Sequence, residues 1–171
     1  KVDYGPYQAT TLTDDEKRAG LALFCCAKPL TDLVLEINEV RRAGDIRIRK
    51  LPCRIETIDK PAPDVAIVKI KLPANERLQF LAGQYIEFIL KDGTRRSFSM
   101  ANPPHDDEFL QLHVRHVPGG TFTDHVFGAM KERDILRFEG PLGSFFLQES
   151  AKPIVFVASG AGFAPIKAIV E

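Results

Sequence analysis

Leu110-Gln-Leu-His-Val-Arg-His-Val-Pro-Gly-Gly-Thr-Phe-Thr123 carries two kinds of order in one short stretch. Leu110, Leu112, Val114 and His116 alternate with Gln111, His113 and Arg115, the period of a strand with one buried and one wet face. Such alternation predicts antiparallel pairing, because a strand of a parallel sheet is buried on both faces and loses it. Pro118, Gly119 and Gly120 then break the strand, and a helix is predicted over 123–130 with Thr or Asp as its cap. Working outward, the two-residue period recurs at 66–72, 84–90, 95–101 and 134–139. Pro- and Gly-rich clusters separate these runs: KPAPD, LPANE, KDGT, ANPPHDD and EGPLG. Short antiparallel strands with one helix predict a mainly β fold, a small closed six-stranded barrel over 52–150.

The pattern changes on both sides of this block. Ile154-Val-Phe-Val157 is a continuous apolar run, as in a parallel strand covered on both faces. A small-residue loop, Ala158-Ser-Gly-Ala-Gly162, leads into a predicted helix with Pro165 in its first turn. Strand, Gly-rich turn and helix are the opening of an α/β nucleotide-binding domain, so 151–171 is read as the start of one. Upstream, residues 1–40 form a separate piece. Thr13-Asp-Asp-Glu16 has the spacing of a capping box, Gly20 ends the short helix it starts, and Leu33–Ile37 reads as a strand. The charged run over 41–51 is read as a solvated linker.

Composition bounds the function. The 171 residues hold 23 Lys and Arg against 23 Asp and Glu, a formal net charge of zero. With 27% charged and 44% hydrophobic residues, this is an ordinary globular balance. It carries no basic excess for nucleic acid and no apolar run long enough for a membrane span. The sequence starts at KVDYGPYQAT without Met or a signal core and stops just inside a helix, which is the expected look of a fragment. Cys25, Cys26 and Cys53 are odd in number and lack zinc spacing, so a reducing, cytoplasmic setting is expected. His105, His113, His116 and His125 show no metal-ligand spacing, and His113 and His116 fall on opposite faces of a strand.

Three segments have residues suited to anionic, ring-bearing ligands. In Arg96-Ser97-Phe98-Ser99, a strand would place the guanidinium of Arg96 and the ring of Phe98 on one face. Gly119, Gly120, Thr121, Phe122 and Thr123 combine free helix-start amides with hydroxyls. Gly160-x-Gly162-x-Ala164-Pro165 lets backbone approach a phosphate closely. Each has a plain alternative: an exposed Arg beside a core Phe, a simple cap, a tight turn.

Their order resembles the ferredoxin–NADP reductase superfamily: an Arg-x-aromatic-Ser strand, a Gly-Gly-x-x-Thr helix start, then a G-x-G-x-A-P turn. Gly83-Gln84-Tyr85 also fits the G-Q-Y such flavin barrels carry. Arg115-His-Val-Pro-Gly-Gly and Phe138-Glu-Gly-Pro-Leu-Gly are most similar to CDP-6-deoxy-Δ-3,4-glucoseen reductases and related 2Fe–2S/FAD/NAD(P)H reductases. The resemblance implies an FAD-binding barrel flanked by a ferredoxin (β-grasp) remnant over 1–40 and the truncated NAD(P)-binding domain over 151–171. It implies hydride transfer from NAD(P)H to FAD, then single electrons to a 2Fe–2S centre and an acceptor protein or a sugar-processing enzyme. Arg96 and Thr123 would hold the pyrophosphate, Phe98 would stack on flavin or ribose, and Ser99 would act near the flavin N5. Ser97, His113, Val114, Arg115, Gly119, Gly120, Thr121 and Phe122 would complete the FAD site, and Gly160, Gly162 and Pro165 would meet the nicotinamide nucleotide. Cys25, in Phe24-Cys-Cys-Ala-Lys-Pro29, matches a cluster ligand, but four thiolates are needed, so no cluster is expected in this chain. Ala161 stands where the superfamily usually has Thr, and Phe98 where Tyr is commoner. The rival readings are a reductase of an oxygenase, a free flavin reductase, and a β-barrel binding module without redox work.

Overall fold

Thr13 opens the first helix as its spacing predicts, in a computed structural model that describes residues 1–8, 10–35, 46–148 and 150–171. The Thr13 hydroxyl accepts the Glu16 N–H, and Glu16 answers at the Thr13 N–H at 2.7 Å. This caps α1 (Asp14–Arg18), and Gly20 follows its end at φ +88°. β1 (Val2–Asp3) and β2 (Lys28–Pro29) pair antiparallel beside it. These elements form one compact unit, Lys1–Val40. Leu33–Leu35, expected to begin a strand, are exposed and carry no strand pairing; residues 36 and 37 lie outside the described residues.

The second unit, Arg41–Glu171, is built on an antiparallel sheet. Its strands are β3 (Arg49–Ala62), β4 (Val65–Lys71), β5 (Tyr85–Ile89), β6 (Arg95–Ser99), β7 (Leu110–Arg115) and β8 (Ile135–Leu142). The order across the sheet is β6-β5-β8-β3-β4-β7. β3 starts before the expected linker ends. Leu51, Cys53 and Ile55 point inward, while Lys50, Pro52 and Arg54 point out and give the segment its charged look. Residues 41–45 lie outside the described residues. A bulge in β3 between Ile55 and Thr57 shifts its register against β4.

The inward residues make one core. Phe88, Phe138, Ile70, Ile86, Leu112 and Met100 are completely or almost completely buried. Each such side chain contributes about 1.5–3 kcal/mol on leaving water. The expected barrel is not closed by a ladder. β6 and β7 are the sheet's two edges, and they meet at one isolated bridge, Met100 with Leu112. The Ala101 N–H donates to the Gln111 carbonyl at 2.7 Å just beyond it.

α2 (Thr121–Phe127) closes one end of the core by burying Phe122 and Val126. It starts two residues before its predicted position, with Gly120 rather than Thr or Asp as the cap. The Ile154–Val157 run is exposed and forms no strand, because no other segment among the described residues lies beside it to supply a ladder. A 3₁₀ turn (Gly160–Gly162) then leads into α3 (Phe163–Val170), which buries Ala164, Ile166 and Ala168. Among the described residues no helix is long and apolar enough to cross a membrane.

Candidate functional site

Register on β6 decides which side chains can act together. Arg96 pairs with Phe88 and Phe98 with Ile86, whereas Arg95, Ser97 and Ser99 pair with Ile89, Glu87 and Tyr85. Cross-strand partners share a face, so Arg96 and Phe98 stand on one side and Ser97 on the other. Arg95 is held on that other side by Glu87 at 3.0 Å and by Glu139. Ser97 donates to Glu87 Oε1 at 3.0 Å, which turns its hydroxyl away from Arg96 and Phe98. Arg96 differs from its neighbour. Its guanidinium donates to the Arg95 carbonyl at 2.7 Å, and among the described residues it forms no ion pair. Asp92, held below the usual carboxylate range first by hydrogen bonds from Thr94, also feels the Arg96 charge.

Phe98 is half-buried. Its ring centroid lies 5.1 Å from Phe122 and 6.0 Å from Phe88, and the latter two lie 5.0 Å apart. This aromatic cluster ties β6 to α2, so part of the Phe98 ring is packed and the Phe122 side chain belongs to the core. The Ser99 hydroxyl makes no hydrogen bond among the described residues, although the residue pairs with Tyr85 in the ladder.

The turn before α2 is tightly made. Gly119 has φ +80°, a backbone that favours glycine. A Cβ on Gly120 would meet Thr123 Oγ1 at 2.7 Å and the Val117 carbonyl at 2.8 Å. The Gly120 N–H donates to the Val117 carbonyl at 2.8 Å, and the Gly119 N–H to Asp124 Oδ2 at 3.1 Å. The Thr123 hydroxyl donates to the Val117 carbonyl at 2.9 Å and accepts the Val117 N–H at 3.2 Å. Both glycine amides and the Thr123 hydroxyl are therefore engaged inside the turn. The donors left to a ligand are the first-turn amides of Thr121, Phe122 and Thr123, since Gly120 supplies no side-chain cap.

On β7 the Val114 side chain is buried, while His113 and Arg115 face outward. His113 stacks on Phe163, centroids 6.4 Å apart, with Gln111 Nε2 3.2 Å from its Nε2. Burial pushes its imidazole below the ordinary value, and the Lys167 charge acts the same way against Glu171. Lys167 reaches the Ala101 carbonyl at 3.1 Å and pairs with Glu171. Arg115 lies 3.5 Å from Asp64, and its Nη1 would stand 3.9 Å from a Cβ on Gly160. So the fold sets the Gly160–Gly162 turn against β7. Pro165 is in the first turn of α3.

These positions fit a dinucleotide flavin. A cation with no ion pair among the described residues, amides free at a helix start and a partly open aromatic ring suit a pyrophosphate and a flat ring. They do not fit an iron–sulfur cluster. Cys25 and Cys26 are free, with sulfurs 3.6 Å apart, and Cys53 is buried in the other unit's core, where burial pushes its thiol up to about 12. Among the described residues no group of three or more His, Cys, Asp and Glu is gathered as metal ligands are.

Residues 52–147 match the family described as oxidoreductase FAD-binding domain. The chain belongs to that family. Its fold is that of the ferredoxin–NADP reductase superfamily, which the motif order resembles. Over 162 residues it is 41% identical to the CDP-6-deoxy-L-threo-D-glycero-4-hexulose-3-dehydrase reductase of Yersinia pseudotuberculosis serotype I (strain IP32953), covering 95% of this chain and 49% of that protein. It is 39% identical over 150 residues to the terephthalate 1,2-dioxygenase reductase component 2 of a Comamonas species, covering 87% of this chain and 44% of that one. The crystal structure of the Amycolatopsis cytochrome P450 reductase GcoB superposes with TM-score 0.69 at 36% identity, over 99% of this chain and 52% of that one. The chain thus spans about half the length of the relatives it matches.

Lys167 carries no signal of a site role in the sequence, while His116 enters it only as a histidine without metal-ligand spacing and Asp124 only as an acid at the predicted helix start.

Proposed function

We propose that this chain binds FAD along the seam between β6 and β7 and serves as the flavin-bearing part of an NAD(P)H-dependent electron-transfer reductase. FAD, when bound, supplies the capacity to take two electrons as hydride and release them singly. The protein supplies position and charge. Arg96 and the amides of Thr121, Phe122 and Thr123 take the pyrophosphate, with the shaped Gly119–Gly120 turn behind them. Phe98 offers its free ring surface to the flavin or ribose. Ser99 holds a proton near the flavin N5, and the backbone of Val114 with the side chains of His113 and Arg115 lines the other strand. The Gly160–Pro165 turn, set against Arg115, faces the nicotinamide nucleotide. The three free cysteines fit a reducing compartment, the cytoplasm.

The observation that carries this reading is the contrast between adjacent arginines: Arg95 is ion-paired by two carboxylates, whereas Arg96 forms no ion pair among the described residues. A cation kept without an acidic partner is available to an anion. Arg96→Ala should weaken FAD binding roughly tenfold to 150-fold, while Arg95→Ala changes it less than about threefold. Fluorescence titration of the apo chain with FAD checks both. Equal effects from the two variants would remove the assignment.

The identity with the Yersinia protein supports a deoxysugar dehydrase as the acceptor system. A second reading, electron supply to an oxygenase, is favoured by the Comamonas dioxygenase reductase component and the Amycolatopsis cytochrome P450 reductase structure. Reconstitution of the whole protein with each class of acceptor separates them.

A further inference from the structure

The two oxygens of the Asp124 carboxylate have different partners. Oδ2 accepts the Gly119 N–H at 3.1 Å, and Oδ1 lies 2.8 Å from His116 Nε2. His116 is itself fixed. Its ring stacks on Phe127, centroids 4.6 Å apart at 20°, and its backbone N–H donates to the Asp64 carbonyl at 2.7 Å. Lys60 secures Phe127 in turn, with Nζ 5.3 Å from the ring centroid and 2.9 Å from the Phe127 carbonyl. A continuous line of contacts therefore runs from β3 through Phe127, His116 and Asp124 to the amide of Gly119.

A carboxylate beside a turn that receives a pyrophosphate is a liability on charge alone, because like charges repel. Here its charge faces His116, and its hydrogen bond fixes a glycine at φ +80° that has open space around it. Glycine in that setting explores many conformations unless something holds it. Holding it before the ligand arrives reduces the ordering cost of binding.

We propose that Asp124 is a positioning residue for the dinucleotide. It locks the Gly119–Gly120 turn so that the amides of Thr121, Phe122 and Thr123 converge on the pyrophosphate, and His116 holds its other oxygen in place. The proposal rests on the FAD site described above. It assigns Asp124 no contact with the cofactor.

The test uses the 171-residue chain, its Asp124→Ala and Asp124→Asn variants, and two readouts. One is hydrogen exchange of the Gly119 amide in the apo protein. The other is affinity for FAD and for riboflavin, which shares the ring and lacks the pyrophosphate. Asp124→Ala should expose the Gly119 amide and weaken FAD about tenfold, with riboflavin affinity unchanged. Asp124→Asn keeps an oxygen acceptor for Gly119 and should retain FAD affinity within about threefold. Unchanged Gly119 exchange in Asp124→Ala, an equal loss for FAD and riboflavin, or an equal FAD loss in both variants overturns the proposal. If FAD leaves the Thr121–Thr123 amide signals of the unsubstituted chain in place, the site reading fails instead, and this proposal with it.

Discussion

Arg95 and Arg96 show what a residue's identity does and does not reveal. The motif singles out Arg96, but nothing in the letters tells a neutralised guanidinium from an available one; β5 and β8 make that difference by presenting Glu87 and Glu139 to Arg95. Ser97 is the same lesson in reverse, a motif residue that the strand's alternation turns to Glu87. Cys53 gives a prediction of its own. It is 2% exposed, and burial lifts its thiol from 9.0 to about 12. Between those values the unfolded chain loses the proton and the folded chain keeps it, so stability falls as pH rises. The slope from this group is about 1.4 kcal/mol per pH unit. Cys53→Ala will be less stable at neutral pH but should lose that alkaline slope, which urea unfolding at neutral pH and at alkaline pH measures. Identical alkaline slopes in the two proteins would show that Cys53 titrates normally. Glycines separate in the same way. A Cβ on Gly83, at φ +101°, would stand 2.1 Å from the Phe145 carbonyl, whereas Gly93, at φ +81°, has open space. Gly83→Ala should cost roughly 2–4 kcal/mol and Gly93→Ala about 1 kcal/mol in chemical denaturation.

At the scale of elements, alternation was legible wherever polar residues fell outward with few charges. β4 and β7 follow it residue by residue. The start of β3 did not show, because Arg49 and Lys50 beside Leu51 imitate a solvated linker. The apolar run at Ile154–Val157 has the composition of a buried strand but no partner ladder among the described residues, so it stays exposed. α3 was legible from its Gly-rich turn and Pro165, while its seat on β7 was not, since that depends on the His113–Phe163 stack and on Lys167 reaching Ala101. This seat has a measurable electrostatic consequence. His113 is held below its ordinary 6.5 by burial first and by Lys167 second. As pH falls through the ordinary value, the unfolded chain takes the proton before the folded one, so the contact loses stability on acidification. Lys167→Met removes one depressing charge, and the His113 titration followed by NMR should move up toward the ordinary value. A titration that stays in place would show that burial alone sets it.

Across the whole second unit, the candidate site and the weakest line of the sheet coincide. Arg96, Phe98 and Ser99 are on β6, and His113, Val114 and Arg115 are on β7, the two edges that share one isolated bridge. Beyond that bridge the seam depends on Asn102, which is 3% exposed. Its Oδ1 accepts the Gln111 N–H at 2.8 Å and its Nδ2 donates to the Asp106 carbonyl at 2.7 Å. Asn102→Ala leaves both backbone groups without these partners, at a cost of about 1–3 kcal/mol. The loss should be local, because β3 pairs with β8 over Arg49–Arg54 and with β4 over Arg54–Ala62 and does not depend on the seam. In the apo variant, the amides of Met100 and Ala101 should exchange faster, while those of Ile55 and Val68 keep their protection. FAD held by residues of both strands would tie the edges together and recover part of the lost protection, since a ligand that binds the closed seam favours it. Hydrogen exchange with and without FAD reads this directly. Uniform loss across the sheet would show that the seam is part of one cooperative core. Local loss that FAD leaves unchanged would show that the flavin does not bridge β6 and β7.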